Sequence, residues 1–568
     1  MSRPSDRAQP PASPPDDASA SDGLDRRGFL RLVGAGAGAG LAAVGAGAGA
    51  GLATALASPT DALAVPGGGA PGPRKRAQQA YRMRVRAARL ARRRERAEHV
   101  ANGDEVEHAG FIGCYTKGLP HDAQGFVEPA AYAALLDCLE KQVPAGFEEI
   151  PLAGPVRLTS PQAGLAFDLQ GPDAWHVTIP PAPRIALAEC AGEMVELYWM
   201  ALLRDVPFAE YESHPLAQAA AAELDGLQDF RGPREGQAVT PGTLFRGFTA
   251  GDGVGPWLSQ FLWLDVPWGA QRLVQRNQTG LPGVDYLTDF GEWLAVQNGA
   301  NRFGQEALDP VPRYVRDLRG LARYVQIDAL YQAYLHACLI LLARGVPFDP
   351  GMPLAGSATQ AGFAEWGPPH VLSLMTEVAT RALKAVWYQK WFVHRRLRPE
   401  EFGGLVHRHK TGAASAPLHA DVLECAALEE IFALHGSYLL PLAFPEGCPT
   451  HPSYGSGHAT VAGACTTILK AWFDTDAVLE DPVVPSADGT ALLPYGGPPL
   501  TVGGELDKLA SNVATGRNGA GVHWRSDYAE SVRLGERVAL AILEEQKATY
   551  AETPTLTLTT FDGETIEI

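Results

Sequence analysis

The chain has few cysteines for its length. Among 568 residues there are 7 cysteines, scattered without a CxxC or other metal-type spacing. This excludes the common structural zinc arrangements, and we interpret the cysteines mainly as small buried apolar side chains. Because their number is odd, at least one thiol is unpaired, and the pairing of the others stays open.

Basic residues are outnumbered by acidic ones. The 47 Lys and Arg residues face 64 Asp and Glu residues, which gives a formal net charge of -17. A protein that binds nucleic acid needs surplus Lys and Arg to neutralise phosphates, so this balance argues against such a partner. The content of 46% apolar and 20% charged residues is that of an ordinary globular protein, not of a disordered or fibrous chain.

The apolar segment near the N-terminus lacks the Leu, Ile and Phe content of a good membrane span. It runs to about Ala57, is dominated by Gly and Ala, and follows an Arg-Arg pair at Arg26 and Arg27. A small-x-small cleavage site follows at residues 62–64. We interpret residues 1–64 as a twin-arginine export signal, with a membrane anchor as the alternative. The mature protein is then expected in the periplasm or outside the cell, without a stable membrane span.

Residues 65–97 are a linker followed by a basic arm. The Gly- and Pro-rich linker to Pro73 precedes a strongly basic stretch from Arg74 to Arg96. Its apolar residues form no clean helical stripe, so we interpret the stretch as a solvated helix or arm. Docking onto the acidic surface of another subunit is the alternative.

The remaining residues, 98–568, indicate a single domain that is mainly α. Helical periodicity is present at residues 129–141, 186–203, 311–344 and 370–396. Short β-like runs occur in the Pro- and Gly-rich segment 147–183, for example Trp175 to Ile179. Because regular alternation of strands and helices is missing, we predict a helical-bundle core with long loops and a few short strands. The tail, residues 553–568, alternates β-branched and polar residues around Asp562-Gly563, which predicts a β-hairpin.

The first cluster of candidate site residues is the basic run from Lys390 to Pro399. Lys390 and His394 are four residues apart and share a helix face, while Pro399 should end the helix at Arg398. Lys390 and Arg398 would then act as anion clamps. The alternative is a basic helix end that is merely favourable to the helix dipole.

The second cluster is the segment from His451 to His458. It runs straight into a helix-compatible stretch, residues 459–473, which places Ser456, Gly457 and His458 at a helix N-terminus. Unpaired backbone N–H groups and the helix dipole make such a terminus an anion site. Ser456 adds a hydroxyl donor, and His458 is a candidate acid or base. A plain N-cap is the alternative.

The third cluster runs from Arg517 to Asp527 and precedes a predicted helix at residues 528–545. Arg517 is a third cationic donor, and His523 is a candidate ligand or nucleophile. Asp527, four residues further on, can orient the imidazole through its other ring nitrogen. Together the clusters predict a site for a tetrahedral or trigonal-bipyramidal oxyanion, either phosphate or vanadate.

The order Lys-x7-Arg-Pro, Ser-Gly-His and Arg-x5-His-x3-Asp resembles the superfamily that joins vanadium-dependent haloperoxidases to acid phosphatases of the phosphatidic-acid phosphatase type. The resemblance is closer to the algal-type vanadium bromoperoxidases. It is carried by residues 389–400 and 449–460, and extends to residues 102–105 and 245–247. Seven residues separate Lys390 from Arg398, whereas the phosphatase pattern has six. Gly516 stands where phosphatases usually carry Ser, and Gly455 stands where the family commonly has Pro, which could loosen the loop.

The resemblance implies a role for each candidate residue. His523 would bond axially to vanadium, with Asp527 holding it, and His458 would assist proton transfer. The groups that would bind the equatorial vanadate oxygens are Lys390, Arg398, Ser456, the Gly457 backbone N–H and Arg517. Lys390 would also hydrogen-bond the peroxide. His451 and Trp387 would border the halide pocket. The whole site would lie within about residues 385–530.

The implied function is a vanadate-dependent haloperoxidase with the helical fold of that superfamily. It would oxidise bromide and iodide with hydrogen peroxide and halogenate an organic acceptor, with vanadium held in its +5 state and without haem or flavin. The tilt toward bromide comes from His451, where chloride-oxidising relatives tend to carry an aromatic residue. Relatives also imply a homo-oligomer, a dimer or larger. Two alternatives stay open: an acid phosphatase with His523 as nucleophile, and a non-enzymatic oxyanion-binding protein.

Overall fold

The computed structural model describes residues 72–568, and the predicted export signal lies outside this range. Within the described part, fifteen α-helices and three two-stranded antiparallel hairpins form a mainly α structure, as predicted. The helices are α1 (Pro73–Arg93), α2 (Asp104–Glu107), α3 (Pro129–Lys141), α4 (Ala188–Leu202), α5 (Pro215–Gly226), α6 (Phe290–Gln297), α7 (Leu318–Ile327), α8 (Gln332–Ala343), α9 (Pro368–Tyr388), α10 (Pro399–Lys410), α11 (Ala420–Leu423), α12 (Ala426–His435), α13 (Gly457–Trp472), α14 (Val502–Gly519) and α15 (Arg525–Lys547). The paired strands are β1 (Val266–Trp268) with β2 (Gln271–Leu273), β3 (Val483–Pro485) with β4 (Leu492–Pro494), and β5 (Thr557–Thr559) with β6 (Thr565–Glu567).

Helix α13 is the centre of the core and packs against α9, α14 and α15. Every residue of α13 except His458 is buried. The close crossing with α15 depends on glycine, because a Cβ at Gly463 would lie 2.0 Å from the Val532 carbonyl oxygen. A Cβ at Gly535 would equally lie 2.0 Å from the carbonyl oxygen of Thr460. Small residues therefore bring the two helices together directly behind the N-terminus of α13.

The long helix predicted to end at Arg398 ends earlier. Helix α9 stops at Tyr388 and continues as one π-helical segment, Gln389–His394, in which the Arg395 N–H donates to the Lys390 carbonyl at 3.0 Å. Arg395 then adopts a left-handed conformation with φ 41°. Arg398 is the N-cap of α10, with Pro399 in its first turn, where proline is favourable. The alternative of a favourable basic helix end is therefore wrong for Arg398, which lies at the positive end of the next helix.

Two further predicted elements are corrected. The stretch 311–344 is two helices, α7 and α8, bent by 99°. The run from Trp175 to Ile179 contains no strand; Ala174–His176 is a 3-10 turn, because Asp173 caps it by accepting from the Trp175 N–H at 3.0 Å. Hairpins β1–β2 and β3–β4 were not predicted, whereas β5–β6 forms within the expected tail. In residues 72–568 no single helix meets the length and hydropathy of a membrane span, and α7 with α8 does so only as a bent pair.

The basic arm is helical, and the cysteines are buried as the sequence predicts. Helix α1 carries most of the basic arm, and none of its residues is buried. All seven cysteines lie in the described residues, and each is buried with a free thiol. The fold is therefore held by packing and polar contacts and contains no disulfide among those residues.

Candidate active site

The three predicted clusters meet at the N-terminus of α13. Arg398 Nε donates to the His451 carbonyl at 2.9 Å, and Arg398 Nη1 lies 3.0 Å from His523 Nε2. Lys390 Nζ donates to the carbonyls of Pro452 and Ser453 at 2.8 and 2.9 Å. The basic run, the His-Pro-Ser segment and the third cluster therefore form one site. We call Lys390, Arg398, Arg517, His523 and the N-terminus of α13 the anion site.

Lys390 is a buried cation without a carboxylate partner. The π-helical segment directs its side chain to the two carbonyls just described, and the residue is 0% exposed. Burial lowers the pKa of Lys390 well below its usual value, and the nearby charge of Arg398 lowers it further. Without a counter-charge the surroundings therefore disfavour the charged form of Lys390, and a bound anion would favour the charged form again.

Arg517 lies near the C-terminal end of α14 and is 5% exposed. Its Nη1 donates to the Val325 carbonyl at 2.7 Å, whereas its Nε is buried with no hydrogen-bond partner among the described residues. Burial, followed by the charge of Arg398, lowers the pKa of Arg517 to about 10. A buried guanidinium N–H without an acceptor is expected where a ligand supplies one.

The N-terminus of α13 is shaped by small residues. Ser456 is its N-cap, and Ser456 Oγ accepts from the Ala459 N–H at 3.3 Å. The Ser456 N–H donates to Ser531 Oγ at 2.8 Å. A Cβ at Gly455 would lie 2.3 Å from the same hydroxyl oxygen, so this glycine is tightly packed. The expectation that Gly455 loosens the loop is therefore wrong, because close packing against Ser531 fixes it.

Gly457 follows as the first residue of α13. A Cβ at this position would lie 3.1 Å from the ring of Trp387. The first N–H groups of a helix have no helical acceptors, so they remain donors for an anion.

His523 is held by a carboxylate that also accepts from two further side chains. Its Nδ1 is 2.6 Å from Asp527 Oδ2, and this carboxylate also accepts from Arg396 at 3.0 Å and from the Ser453 hydroxyl. The proton is therefore assigned to Nδ1, which leaves the Nε2 lone pair facing Arg398. Burial, then the charge of Arg398, lowers the pKa of His523 well below its usual value, so the ring is neutral. A neutral imidazole with an available Nε2 is the form that bonds a metal centre.

Arg396 and Glu193 support this carboxylate and were not recognised in the sequence. The Arg396 guanidinium is buried between Asp527 and Glu193, at 2.8 Å from the latter, and lies 4.5 Å from the Trp524 ring. Arg396 lies within the first cluster, but the carboxylate to which it donates, Asp527, is 131 residues further along the chain. Glu193 is on α4, and only the tertiary structure brings it there.

His458 lies at the rim of the anion site, with 25% of its side chain exposed. Its Nε2 is 3.1 Å from Asp328 Oδ1. Asp328 immediately follows α7, in the break between α7 and α8, which the sequence pattern does not predict. The carboxylate anchors one ring nitrogen and leaves Nδ1 as the atom free to exchange a proton.

His451 and Trp387 form the remaining wall. Their ring centroids are 4.8 Å apart, and Trp387 Nε1 donates to the Thr159 carbonyl at 3.1 Å. Arg398 Nη2 lies 2.9 Å from His451 Nδ1. Burial, then the charge of Lys390, lowers the pKa of His451 well below its usual value, so this ring is neutral as well.

The donor set fits an oxyanion. Lys390, Arg398 and Arg517 make no ion pair within 4 Å in the described chain, and Arg517 Nε has no hydrogen-bond partner there. A buried positive charge costs several kcal/mol unless a counter-charge accompanies it. An oxyanion with several oxygens would satisfy the guanidinium, ammonium and helix N–H donors together, while His523 Nε2 bonds its central atom. Phosphate and vanadate both meet this description.

The chain is similar to several characterised proteins. Residues 371–552, which include every candidate site residue, match the family model described as the VCPO second helical-bundle domain. The chain is 41% identical to the vanadium-dependent bromoperoxidase of Corallina pilulifera, covering 87% of this chain and 98% of the relative. It is 37% identical to that of Ascophyllum nodosum, covering 87% and 93%. The homohexameric structure of the second vanadate-dependent bromoperoxidase from Ascophyllum nodosum has a TM-score of 0.82 at 29% identity, covering 87% of this chain and 91% of that chain.

Proposed function

Because the chain belongs to the family of vanadium-dependent bromoperoxidases, we propose that it holds vanadate in the anion site and oxidises bromide with hydrogen peroxide. The observation that carries the proposal is the set of three buried basic side chains without carboxylate partners around Nε2 of His523, which accepts a hydrogen bond only from Arg398 among the described residues. A phosphatase of similar architecture would need the same cage, but the sequence relatives are bromoperoxidases.

The residues that would hold vanadate have complementary tasks. His523 would bond the metal through Nε2, with Asp527 fixing the ring orientation. The donors to the vanadate oxygens would be Lys390, Arg398, Ser456, the Gly457 backbone N–H and Arg517. Bound vanadate supplies an electron-poor vanadium +5 centre that activates peroxide toward a halide, so neither haem nor flavin is needed.

The protein supplies proton handling and charge. His458 Nδ1 accepts a proton from incoming hydrogen peroxide, because Asp328 keeps the proton of Nε2 in place. Lys390 donates a hydrogen bond to the peroxide oxygens and withdraws electron density from them. The hypobromous acid so formed leaves the site and halogenates an organic acceptor.

We assign the halide to the wall formed by His451 and Trp387. Lys390 Nζ lies 5.6 Å from the centre of the Trp387 ring, so a halide against this wall is near a positive charge. The neutral ring of His451 adds a polar contact where a purely aromatic wall would add none. This supports bromide and iodide as the substrates.

The decisive experiment compares vanadate-free and vanadate-loaded protein. We expect peroxide-dependent oxidation of bromide and iodide only after loading, with chloride oxidised slowest. Hydrolysis of p-nitrophenyl phosphate without any halide oxidation would instead support the acid phosphatase. Vanadate binding without turnover of either substrate would support the oxyanion-binding protein.

We further propose that the chain is exported by the twin-arginine route to the periplasm or beyond. The support is the Arg26-Arg27 pair followed by a Gly/Ala-rich segment and a small-x-small site. Replacing both arginines with lysine should leave the enzyme in the cytoplasm, and export of that variant would contradict the proposal.

We also propose that the protein is a homo-oligomer, a dimer or larger. The homohexameric assembly of the Ascophyllum nodosum structure supports this. Light scattering on the purified chain is the test, and a mass near 60.4 kDa at micromolar concentration would contradict it.

A further inference from the structure

A cavity of about 270 Å³ lies beside the anion site and shares Arg517 with it. One wall is the segment 447–450, which leads directly into His451. Another part of the lining is Thr159, whose carbonyl accepts the hydrogen bond of Trp387. The cavity therefore adjoins both the cations and the proposed halide wall, and none of the steps described above uses it.

The apolar part of the lining fits one aromatic ring. Phe444 and Val296 are buried, and Phe303, which is 63% exposed, lines the same cavity. The Arg517 guanidinium lies 5.6 Å from the centre of the Phe444 ring. A cavity of about 150 Å³ in an apolar protein core accommodates benzene. The larger volume here gives space for one ring with small polar substituents.

Besides Arg517, two polar side chains in the lining have buried atoms without a partner among the described residues. Gln326 donates to one carboxylate oxygen of Glu446 at 2.8 Å, while the other oxygen is buried without a partner among the described residues. Arg302 has a buried Nε that lacks a partner in the same part of the chain. Buried polar atoms are normally hydrogen-bonded. A ligand hydroxyl suits the free oxygen of Glu446, and a ligand carboxylate suits the guanidinium of Arg302.

We propose that this cavity binds the organic halogen acceptor, and that the acceptor is a single-ring phenol with an acidic substituent. The ring occupies the space beside Phe444, the hydroxyl donates to Glu446, and the acidic group pairs with Arg302. The inference rests on the proposed bromide oxidation, which supplies hypobromous acid as the halogen donor.

The transfer balances without another reagent. A ring carbon ortho to the hydroxyl attacks bromine, and the Br–O bond breaks as the C–Br bond forms. The ring proton joins the released hydroxide as water. The hydrogen bond from the phenol hydroxyl to Glu446 raises electron density in the ring and so favours the attack.

The first experiment is a competition between two acceptors. 4-Hydroxybenzoate and neutral 4-hydroxybenzyl alcohol are given together to the vanadate-loaded enzyme with bromide and peroxide, and brominated products are quantified by mass spectrometry. The reference is the product ratio obtained by slow addition of free hypobromous acid. We expect the enzyme to favour 4-hydroxybenzoate about tenfold over that reference, since a charge-assisted pair with Arg302 distinguishes the two. A ratio equal to the reference means that halogenation occurs in solution and overturns the proposal.

The second experiment uses variants and direct binding. Arg302→Gln should abolish the preference and weaken calorimetric binding of 4-hydroxybenzoate about tenfold, with acceptor-independent peroxide consumption in bromide unchanged. Arg272→Gln is the matched control, since its exposed guanidinium pairs with Asp265 and does not line the cavity. An Arg302→Gln enzyme that keeps the preference overturns the assignment.

A second variant covers the case in which Arg302→Gln is not recovered as folded protein. Phe303→Ala removes part of the ring contact and must then weaken 4-hydroxybenzoate binding, and unchanged binding overturns the proposal. Failure of the bromoperoxidase activity itself is distinguishable, because it abolishes bromide-dependent peroxide consumption in the unmodified enzyme before any acceptor is added.

Discussion

Two groups of buried arginines lie near the C-terminal end of α14, and they differ in their counter-charges. In the paired cluster, Arg204 and Arg319 share Asp285, at 2.5 and 3.1 Å, and Arg319 also binds Asp205 at 2.8 Å. Arg204 Nε also donates to the carbonyl of Gly519, the last residue of α14. Arg517, two residues before Gly519 on the same helix, belongs to the anion site. There the side chains of Arg517 and Arg398 donate hydrogen bonds only to carbonyls and imidazoles.

The pKa values of Arg319 and Arg517 follow this difference, whereas burial lowers the pKa of Arg204 despite its contact with Asp285. Burial lowers the pKa of Arg319, but its hydrogen bond to Asp205 and the charge of Asp285 outweigh burial and raise the pKa above its usual value. At Arg517 burial and a neighbouring cation act in the same direction and lower it. The paired cluster is thus complete as folded, and its task is stability. The anion site holds three basic side chains without a counter-charge, which a bound anion would supply, so we assign it to binding.

The largest contrast is expected for activity. His523→Ala removes the only proposed bond to the metal, and Lys390→Ala removes the donor to the peroxide, so each should reduce kcat/KM for bromide by about 10³-fold or more. Removing bound vanadate should have the same effect. Asp285→Asn in the paired cluster should leave kcat per folded molecule within about twofold of the value of the unmodified enzyme, because this residue does not contact the anion site. A steady-state bromide assay on all three variants tests this. An inactive but folded Asp285→Asn enzyme would mean that the paired cluster contributes to activity as well as to stability.

The next contrast concerns stability. Asp285→Asn leaves two buried guanidinium groups short of a counter-charge and should lower the free energy of unfolding by about 3–5 kcal/mol. Arg517→Met should lower it much less, or raise it, because it removes a charge that already lacks a partner. Urea unfolding of vanadate-free protein measures both. Equal losses in the two variants would mean that the anion site is balanced by a group not recognised here.

Vanadate itself should sharpen the comparison. At a free concentration of about 100 times its Kd, vanadate should stabilise the folded protein by about 2.7 kcal/mol. We expect the same increment in Asp285→Asn, measured as a rise in the thermal midpoint, and none in His523→Ala. An increment that survives in His523→Ala would place vanadate elsewhere in the molecule.

The smallest expected effect is at the halide wall. His451→Ala should change kcat/KM for bromide by about tenfold, equivalent to 1.4 kcal/mol, with a smaller change in vanadate affinity. Parallel titrations with bromide, iodide and vanadate separate the two quantities. Normal kinetics with both halides would remove His451 from the pocket.

The contacts that were predicted correctly are between residues close to one another in the sequence. Ser456 is predicted to stand at a helix N-terminus because a helix-compatible run follows it, and the contact of His523 with Asp527 is predicted because the two residues are four apart. The structure brings both features to the expected place. These predictions succeed because each depends on neighbours in the chain.

The parts that sequence reasoning missed depend on distant neighbours. Nothing near Glu193 indicates that it supports Asp527 through Arg396, and the break that presents Asp328 to His458 contains no proline or glycine. The π-helical segment could not be predicted either, since its residues have ordinary helical propensity. Local sequence patterns thus indicated the candidate site residues, whereas the residues that support them depend on the tertiary structure.

The burial of all seven thiols bears on how long this catalyst survives. Hypobromous acid attacks thiolates readily, and Cys448, which is 2% exposed, lines the very cavity through which product and acceptor meet. Burial raises the pKa of Cys114 and of Cys190 to about 12, and that of Cys448 well above its usual value. At neutral pH these sulfurs are therefore protonated and poorly nucleophilic. Self-inactivation during turnover should then fall first on exposed aromatic side chains such as Tyr81, Trp175 and Trp268, and not on sulfhydryl groups.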